Sequence, residues 1–334
     1  MQLISYLKNQ HDQLALVVNN MVYDIDSIDS ELPNSMGMLL NYWADYYPLL
    51  LNLNTAIQNG SYSSRQVSTL NDVQLLAPVP FATSCRDGYA FRQHVAAARC
   101  NRGLGMIPEF DQFPIFYFTN HNSLQGPGNI VCMPDHFKKL DFELEVAVVI
   151  CKAGRNIKAA DADDYIGGLM IMNDISARTL QMEEMLLNLG PAKGKDFSTV
   201  IGPTLVTLDE LQQLEVPCKP HHTGKAWNLN MTCTVNGVQV SQGNVADMDW
   251  TFAEIIERAS YGVTLHPGDV IGSGTVGTGC FLELNGTALL ANPDYTPQWL
   301  LAGDVVTMTI DGLGTLTNTI VADVSEFSLL ALKK

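Results

Sequence analysis

The sequence predicts a mixed, β-rich α+β protein, with a small N-terminal domain over residues 1–78 and a larger domain over residues 79–334. Three observations carry that expectation. Apolar stretches of strand length recur through the second part of the chain with few helical periods between them, which argues against an alternating βαβ array. The polar segment 58–65 and the run Ala77-Pro78-Val79-Pro80 flank a short entry strand and set the boundary. The run Val146-Ala147-Val148-Val149-Ile150 reads as a strand buried on both faces.

In chain order, residues 1–25 read as short strands broken at Asn9-Gln10-His11-Asp12 and Asn19-Asn20, where Asn and Asp favour turns. Residues 36–47 and 48–57, rich in Leu and aromatics, read as short helices, and residues 73–76 as the entry strand. Residues 87–102 read as a helix that carries Gln93, His94 and a small apolar run. The Pro- and Gly-punctuated stretch 107–134 is expected to be an ordered loop or lid, a common place for function. After the acidic strand 141–150 come a short helix at 159–165, a strand at 166–172 and a helix from 178 to 189. Strands are expected at 200–206, 229–235, 269–271, 281–284, 305–310 and 315–324, with one helix at 252–260.

Composition narrows the function. With 334 residues, 46% hydrophobic and 16% charged, the chain can bury a substantial core. The net charge of −16 argues against nucleic acid or an anionic membrane as partner. No apolar run approaches the ~18 residues of a membrane span, and the first eight residues lack the basic-then-apolar pattern of a signal peptide. Seven cysteines, an odd number without C-x-x-C, suit reduced thiols and a cytoplasmic location.

The acidic strand is where chemistry enters. In Asp141-Phe142-Glu143-Leu144-Glu145-Val146 the side chains alternate, so Glu143 and Glu145 share one face while Phe142, Leu144 and Val146 share the other. Two carboxylates side by side at a core entrance repel and lose hydration, which a hard divalent cation between them would offset. A solvated strand face or a Lys or Arg partner would serve equally on this stretch alone. Asp174 stands where a strand ends and a helix begins, a carboxylate at the mouth of a polar site or an N-cap. Arg178 and Gln181 share a face of that helix, as an anion site or as an ordinary solvated face. In the Gly- and Pro-flanked segment Lys193-Gly194-Lys195-Asp196-Phe197, one Lys could steady an enolate or alkoxide, or the segment is an exposed basic loop. A lone His94 is more often structural than catalytic, but Glu283 is an acid in an apolar run, and a carboxylate-oriented His makes a good base. Gly272-Ser273-Gly274-Thr275-Val276-Gly277 fits G-x-G-x-x-G, yet a strand rather than a helix is expected after it, so a dinucleotide site is rejected in favour of a tight turn presenting Thr275. No H-E-x-x-H, G-x-S-x-G or P-loop occurs.

Six blocks in one order resemble the fumarylacetoacetate hydrolase family over residues 80–323: Asp87-Gly88-Tyr89-Ala90-Phe91-Arg92-Gln93-His94, Glu143-Leu144-Glu145, Asn173-Asp174-Ile175-Ser176-Ala177-Arg178-Thr179-Leu180-Gln181, Gly194-Lys195-Asp196-Phe197-Ser198-Thr199, Leu265-His266-Pro267-Gly268-Asp269-Val270-Ile271, and Gly274-Thr275 with Phe281-Leu282-Glu283-Leu284. The resemblance implies a β-sandwich roll, a smaller N-terminal domain and a homodimer. It implies that Asp87, Glu143, Glu145 and Asp174 bind Mg2+ or Ca2+, with Mn2+ a third candidate. Lys195 would offset one of the acids. It implies that His94 with Glu283 activates water, that Arg178, Gln181 and Lys195 stabilise the oxyanion, and that Tyr89, Tyr117 and Thr275 touch substrate. The implied reaction is metal-assisted hydrolysis of a carbon–carbon bond in a small anionic substrate, a 1,3-diketo acid. Decarboxylation of a β-keto acid and hydration or isomerisation of a 2-oxo-alkenoate are the rivals on the same scaffold; a non-catalytic metal-binding protein is the rival outside it. One departure bears on substrate: where fumarylacetoacetases proper carry an Arg nine residues after the His, this chain has Gly103, with Arg102 beside it.

Overall fold

The structure is a computed structural model and describes residues 1–61 and 68–334. Half of the expected linker at 58–65, residues 62–65, lies outside the described residues. Strands β1 (Gln2–Lys8), β2 (His11–Val18) and β3 (Met21–Asp24) form an antiparallel meander. Its turns are made possible by Asn9 and Asn19, both at φ 51°, a left-handed conformation that Asn tolerates. The remaining long strands are β4 (Ser84–Gly88), β5 (Phe116–Thr119), β6 (Gly128–Cys132), β7 (Leu144–Ile150), β8 (Ile166–Asp174), β9 (Thr199–Val206), β10 (Asn230–Val235), β11 (Val238–Asn244), β12 (Asp269–Gly272), β13 (Val305–Ile310) and β14 (Gly314–Ala322). They make two mixed sheets, β3-β2-β1-β9-β8-β7-β12-β4-β5 and β11-β10-β13-β14-β6.

Strand β7 lies at the centre, and both of its faces are buried, as its sequence predicts. Leu144, Val146, Val148 and Ile150 pack with Ile171, Met231, Met308, Ile310 and Leu316 between the sheets. Ala147 and Val149 pack with Met170, Met172, Ile201 and Leu205 under helices α1 (Met36–Asn41) and α2 (Trp43–Gln58). Each aliphatic side chain so buried contributes on the order of 2 kcal/mol. Any acid placed at the start of this strand inherits the same dry surroundings. Strand β1 pairs with β9 through Gln2↔Val206 and Leu3↔Leu205, so the long sheet runs across residue 78. The division at residue 78 is kept as a proposal about which part folds alone.

Several expected elements change type. Residues 281–284 are not a strand: Phe281–Ala291 is helix α6, because Ala288-Leu289-Leu290-Ala291 extends the short apolar run with good helix formers. Asp87 is not helical but stands near the end of β4, and helix α3 begins only at Arg92 and runs to Cys100. Residues 73–76 form a single bridge, Tyr6↔Leu75, rather than a strand. The stretch 107–134 is not simply a loop, since it contains β5 and β6. Helices α4 (Arg178–Met185) and α5 (Phe252–Ser260) occupy their expected places, the first ending short of residue 189.

Candidate functional site

Three strands deliver four acids to one place. Asp87 comes from the end of β4, Glu143 and Glu145 from the entry to β7, and Asp174 from the end of β8. Parallel pairing of β12 with β4 sets Asp87 against Gly272, and β7 pairs with β8 on its other side. All four carboxyls are buried, Glu145 and Asp174 at 0% exposure. Oxygens of Asp87, Glu143 and Glu145 lie within 4.8 Å of one another. Asp174 is tied to Glu143 through Lys195: its Oδ2 accepts from Lys195 Nζ at 2.7 Å and from the Tyr117 hydroxyl, and its Oδ1 from Thr199 Oγ1 at 3.2 Å.

The electrostatics divide these acids. Burial would raise Glu143, but Lys195 and then Arg178 outweigh it and hold its carboxyl down to about 2. Glu145 has no such partner; burial, then Asp87 and Glu143, push it well above the usual carboxylate range. Asp87 is pushed up to about 7 by burial and then by Asp174, while Asp174 is raised by burial that Lys195 only partly offsets. With Asp141, five buried carboxyls thus face two buried cations, Arg178 and Lys195. Glu145 Oε2 is buried without a hydrogen-bond partner among the described residues, an arrangement costing about 1–3 kcal/mol. An all-oxygen donor set, short of positive charge and holding an orphaned carboxylate oxygen, fits a hard divalent cation.

The cations are engaged with the acids. Lys195 Nζ bonds Glu143 and Asp174. Arg178 donates Nε to Asp141 at 2.8 Å, Nη1 to Gln181 Oε1 at 3.0 Å and Nη2 to Glu143 Oε1 at 2.8 Å. Thr275 Oγ1 donates to Glu145 Oε1 at 3.3 Å. Tyr117 and Thr275, expected at substrate, therefore orient acids in this structure, and Tyr89 lies edge-on to the His94 ring at 6.0 Å.

The expected dyad forms. His94, in the first turn of α3, and Glu283, in the first turn of α6, are both buried, with Nδ1···Oε2 at 2.6 Å. Glu283 Oε1 also accepts the Thr278 N–H at 2.9 Å, which fixes the carboxylate. His94, Glu143 and Cys280 each offer an atom within 4.8 Å of the other two, so the dyad adjoins the acid cluster. Sequence reasoning gave Cys280 no role; burial and then Asp141 push its thiol well above the ordinary range, so it stays protonated. It also passed over Asp141, which nothing local distinguishes from the other acids of its strand.

Residues 273–276 are not the expected tight turn but run beside β7, with Ser273 N–H on the Val146 carbonyl and Val276 N–H on the Leu144 carbonyl; the turn comes at 276–279, and Gly274 N–H donates to Asp87 Oδ1 at 3.1 Å. The ground for rejecting a dinucleotide site is corrected, because a helix does follow, at Phe281. The rejection stands on another ground: the N–H groups of Phe281 and Leu282 at that helix start already hold the Asp141 carboxylate. A cavity of about 280 Å³ elsewhere, lined by Asn19, Asn20, Asn54 and Glu210 among others, offers one acid and no base.

A family model described as "Fumarylacetoacetate (FAA) hydrolase C-terminal" matches residues 83–321. Among curated relatives, the mitochondrial oxaloacetate tautomerase fahd2 of Xenopus laevis is 32% identical over 309 residues, covering 90% of this chain and 82% of the relative. The oxaloacetate tautomerase YisK of Bacillus subtilis (strain 168) is 32% identical over 260 residues, 75% of this chain and 74% of its own. Among solved structures, a fumarylacetoacetate hydrolase from psychrophilic Exiguobacterium antarcticum superposes with a TM-score of 0.68 at 21% identity, over 97% of this chain and 100% of that one, a likeness of fold.

Proposed function

The chain belongs to the fumarylacetoacetate hydrolase family, and from that premise we propose that it is a metal-dependent enzyme of enolate chemistry, interconverting the keto and enol forms of a small anionic β-keto acid of the oxaloacetate type. The observation that carries this reading is a carboxylate-held histidine beside a buried acid cluster whose two cations leave it short of positive charge. The relatives named as oxaloacetate tautomerases supply the substrate class.

With Nδ1 bonded to Glu283, the other ring nitrogen of His94 is the base. It takes a proton from the carbon between the two carbonyl groups and returns one to oxygen. A divalent cation on Asp87, Glu143, Glu145 and Asp174 supplies Lewis-acid polarisation of the 2-oxo group when bound. Lys195 has one ammonium N–H and Arg178 one Nη1 N–H beyond the bonds described above, and these are the donors left to stabilise developing negative charge on the substrate. Tyr89 covers the base. A homodimer, Mg2+ as the preferred ion and a cytoplasmic location complete the proposal. The free thiols suit that location, and no helix among the described residues is long and apolar enough to cross a membrane.

Hydrolysis of a 1,3-diketo acid is the second reading, favoured by the same dyad, because a Glu-held His can equally deprotonate water. Incubation with Mg2+ and either oxaloacetate or an acylpyruvate in D2O separates the two: proton exchange at the central carbon without a new compound marks tautomerisation, and two acid products mark hydrolysis. His94→Ala should abolish turnover while Mg2+ binding by calorimetry persists. Full turnover by that variant refutes both readings.

A further inference from the structure

Helix α6 starts at Cys280, whose side chain makes no capping bond. The cap comes from the far side of the site. Asp141, at 0% exposure, accepts Phe281 N–H at 2.7 Å and Phe142 N–H at 3.0 Å on Oδ1. Its Oδ2 accepts Leu282 N–H at 2.9 Å and Arg178 Nε at 2.8 Å, with Arg178 Nη2 also at 2.8 Å. A helix N-terminus is the end that favours an anion, and three backbone N–H groups and a guanidinium converge on this carboxylate.

What those donors carry gives Asp141 its weight. Phe281 and Leu282 immediately precede Glu283, which holds His94. Arg178 holds Glu143 and Gln181. One buried carboxylate therefore fixes, on one side, the turn that orients the base and, on the other, the guanidinium that orients a metal-site acid. We propose that Asp141 is a positioning residue that sets the His94–Glu283 dyad and the Arg178 group in register with each other. It touches neither substrate nor metal, and the assignment rests on the dyad reading given above.

The variant is Asp141→Asn, which keeps the size but puts an NH2 where donors already point. Removal of an outer-shell partner of this kind lowers activity about 10- to 100-fold. The expected result is that loss in kcat, with KM changed less than about threefold, because the binding groups remain while their register relaxes. The deciding measurement is a double-mutant cycle with Glu283→Gln. If Asp141 acts through Glu283, the double variant should match Glu283→Gln within about twofold, since register no longer matters once the dyad is broken. Multiplying losses, or an Asp141→Asn enzyme of wild-type kcat, would overturn the assignment. Should Asp141→Asn fail to fold, Asp141→Ser, which keeps an acceptor near the helix start and releases Arg178, takes its place in the same cycle. The inactive His94→Ala control separates this failure from failure of the dyad reading: wild-type turnover there refutes the dyad, whatever Asp141 does.

Discussion

The buried acids make the metal-free protein sensitive to pH in an unusual direction. Asp87 titrates near 7 in the fold against 3.8 for an unperturbed carboxyl, so the folded state binds more protons than the unfolded one between those values. Stability from this group is therefore lost as pH rises through that window and is level above it. Each pH unit well inside the window is worth about 1.4 kcal/mol, and the slope flattens as the folded group titrates, so raising pH from 5 to 7 removes about 2 kcal/mol. Glu145, raised in the same direction, adds to the loss. Unfolding entropy of about 2.1 cal/mol/K per residue over 334 residues turns that into a fall of about 3 °C in Tm. Mg2+ at a hundred times its Kd returns about 2.7 kcal/mol, a similar rise. The assay is differential scanning calorimetry in EDTA at pH 5 and 7, without and with excess Mg2+, on the wild type and on Asp87→Asn. The variant isolates the acid from His136, which burial holds down to about 4 and which contributes stability that is lost as pH falls below about 6.5, the opposite slope. A wild-type Tm that follows Asp87→Asn at both pH values, or that ignores Mg2+, refutes the reasoning.

Two further substitutions probe the same cluster. Lys195→Met leaves Glu143 and Asp174 buried without their shared ammonium, which should lower the unfolding free energy in urea by about 3–5 kcal/mol and abolish turnover; a variant as stable as wild type would mean that the acids relax into water. Gly274 sits at φ +81°, and a Cβ there would lie 2.6 Å from the Gly88 carbonyl oxygen, so Gly274→Ala should pull its N–H from Asp87, weaken Mg2+ affinity in calorimetry and lower Tm.

How far the sequence discloses this site follows from where its forces originate. Glu143 and Glu145 are legible because a strand that is otherwise Val, Ile and Ala has no local use for acids, and β7 is indeed dry on both faces. Order and spacing of motifs bring Asp87, His94, Asp174 and Lys195 to the same place, whatever the local elements are. The element types are less legible. Phe281-Leu282-Glu283-Leu284 satisfies a period of 2 as well as one of 3.6, and the cap that favours a helix is the carboxylate of a residue 140 positions earlier. Asp141 itself reads as one more acid at the head of a strand, because its donors belong to Arg178 and to α6, which only the folded chain brings to it. Its importance cannot be read from any window of sequence, for the same reason that it matters: it is the point where two distant parts of the site are held to one anion.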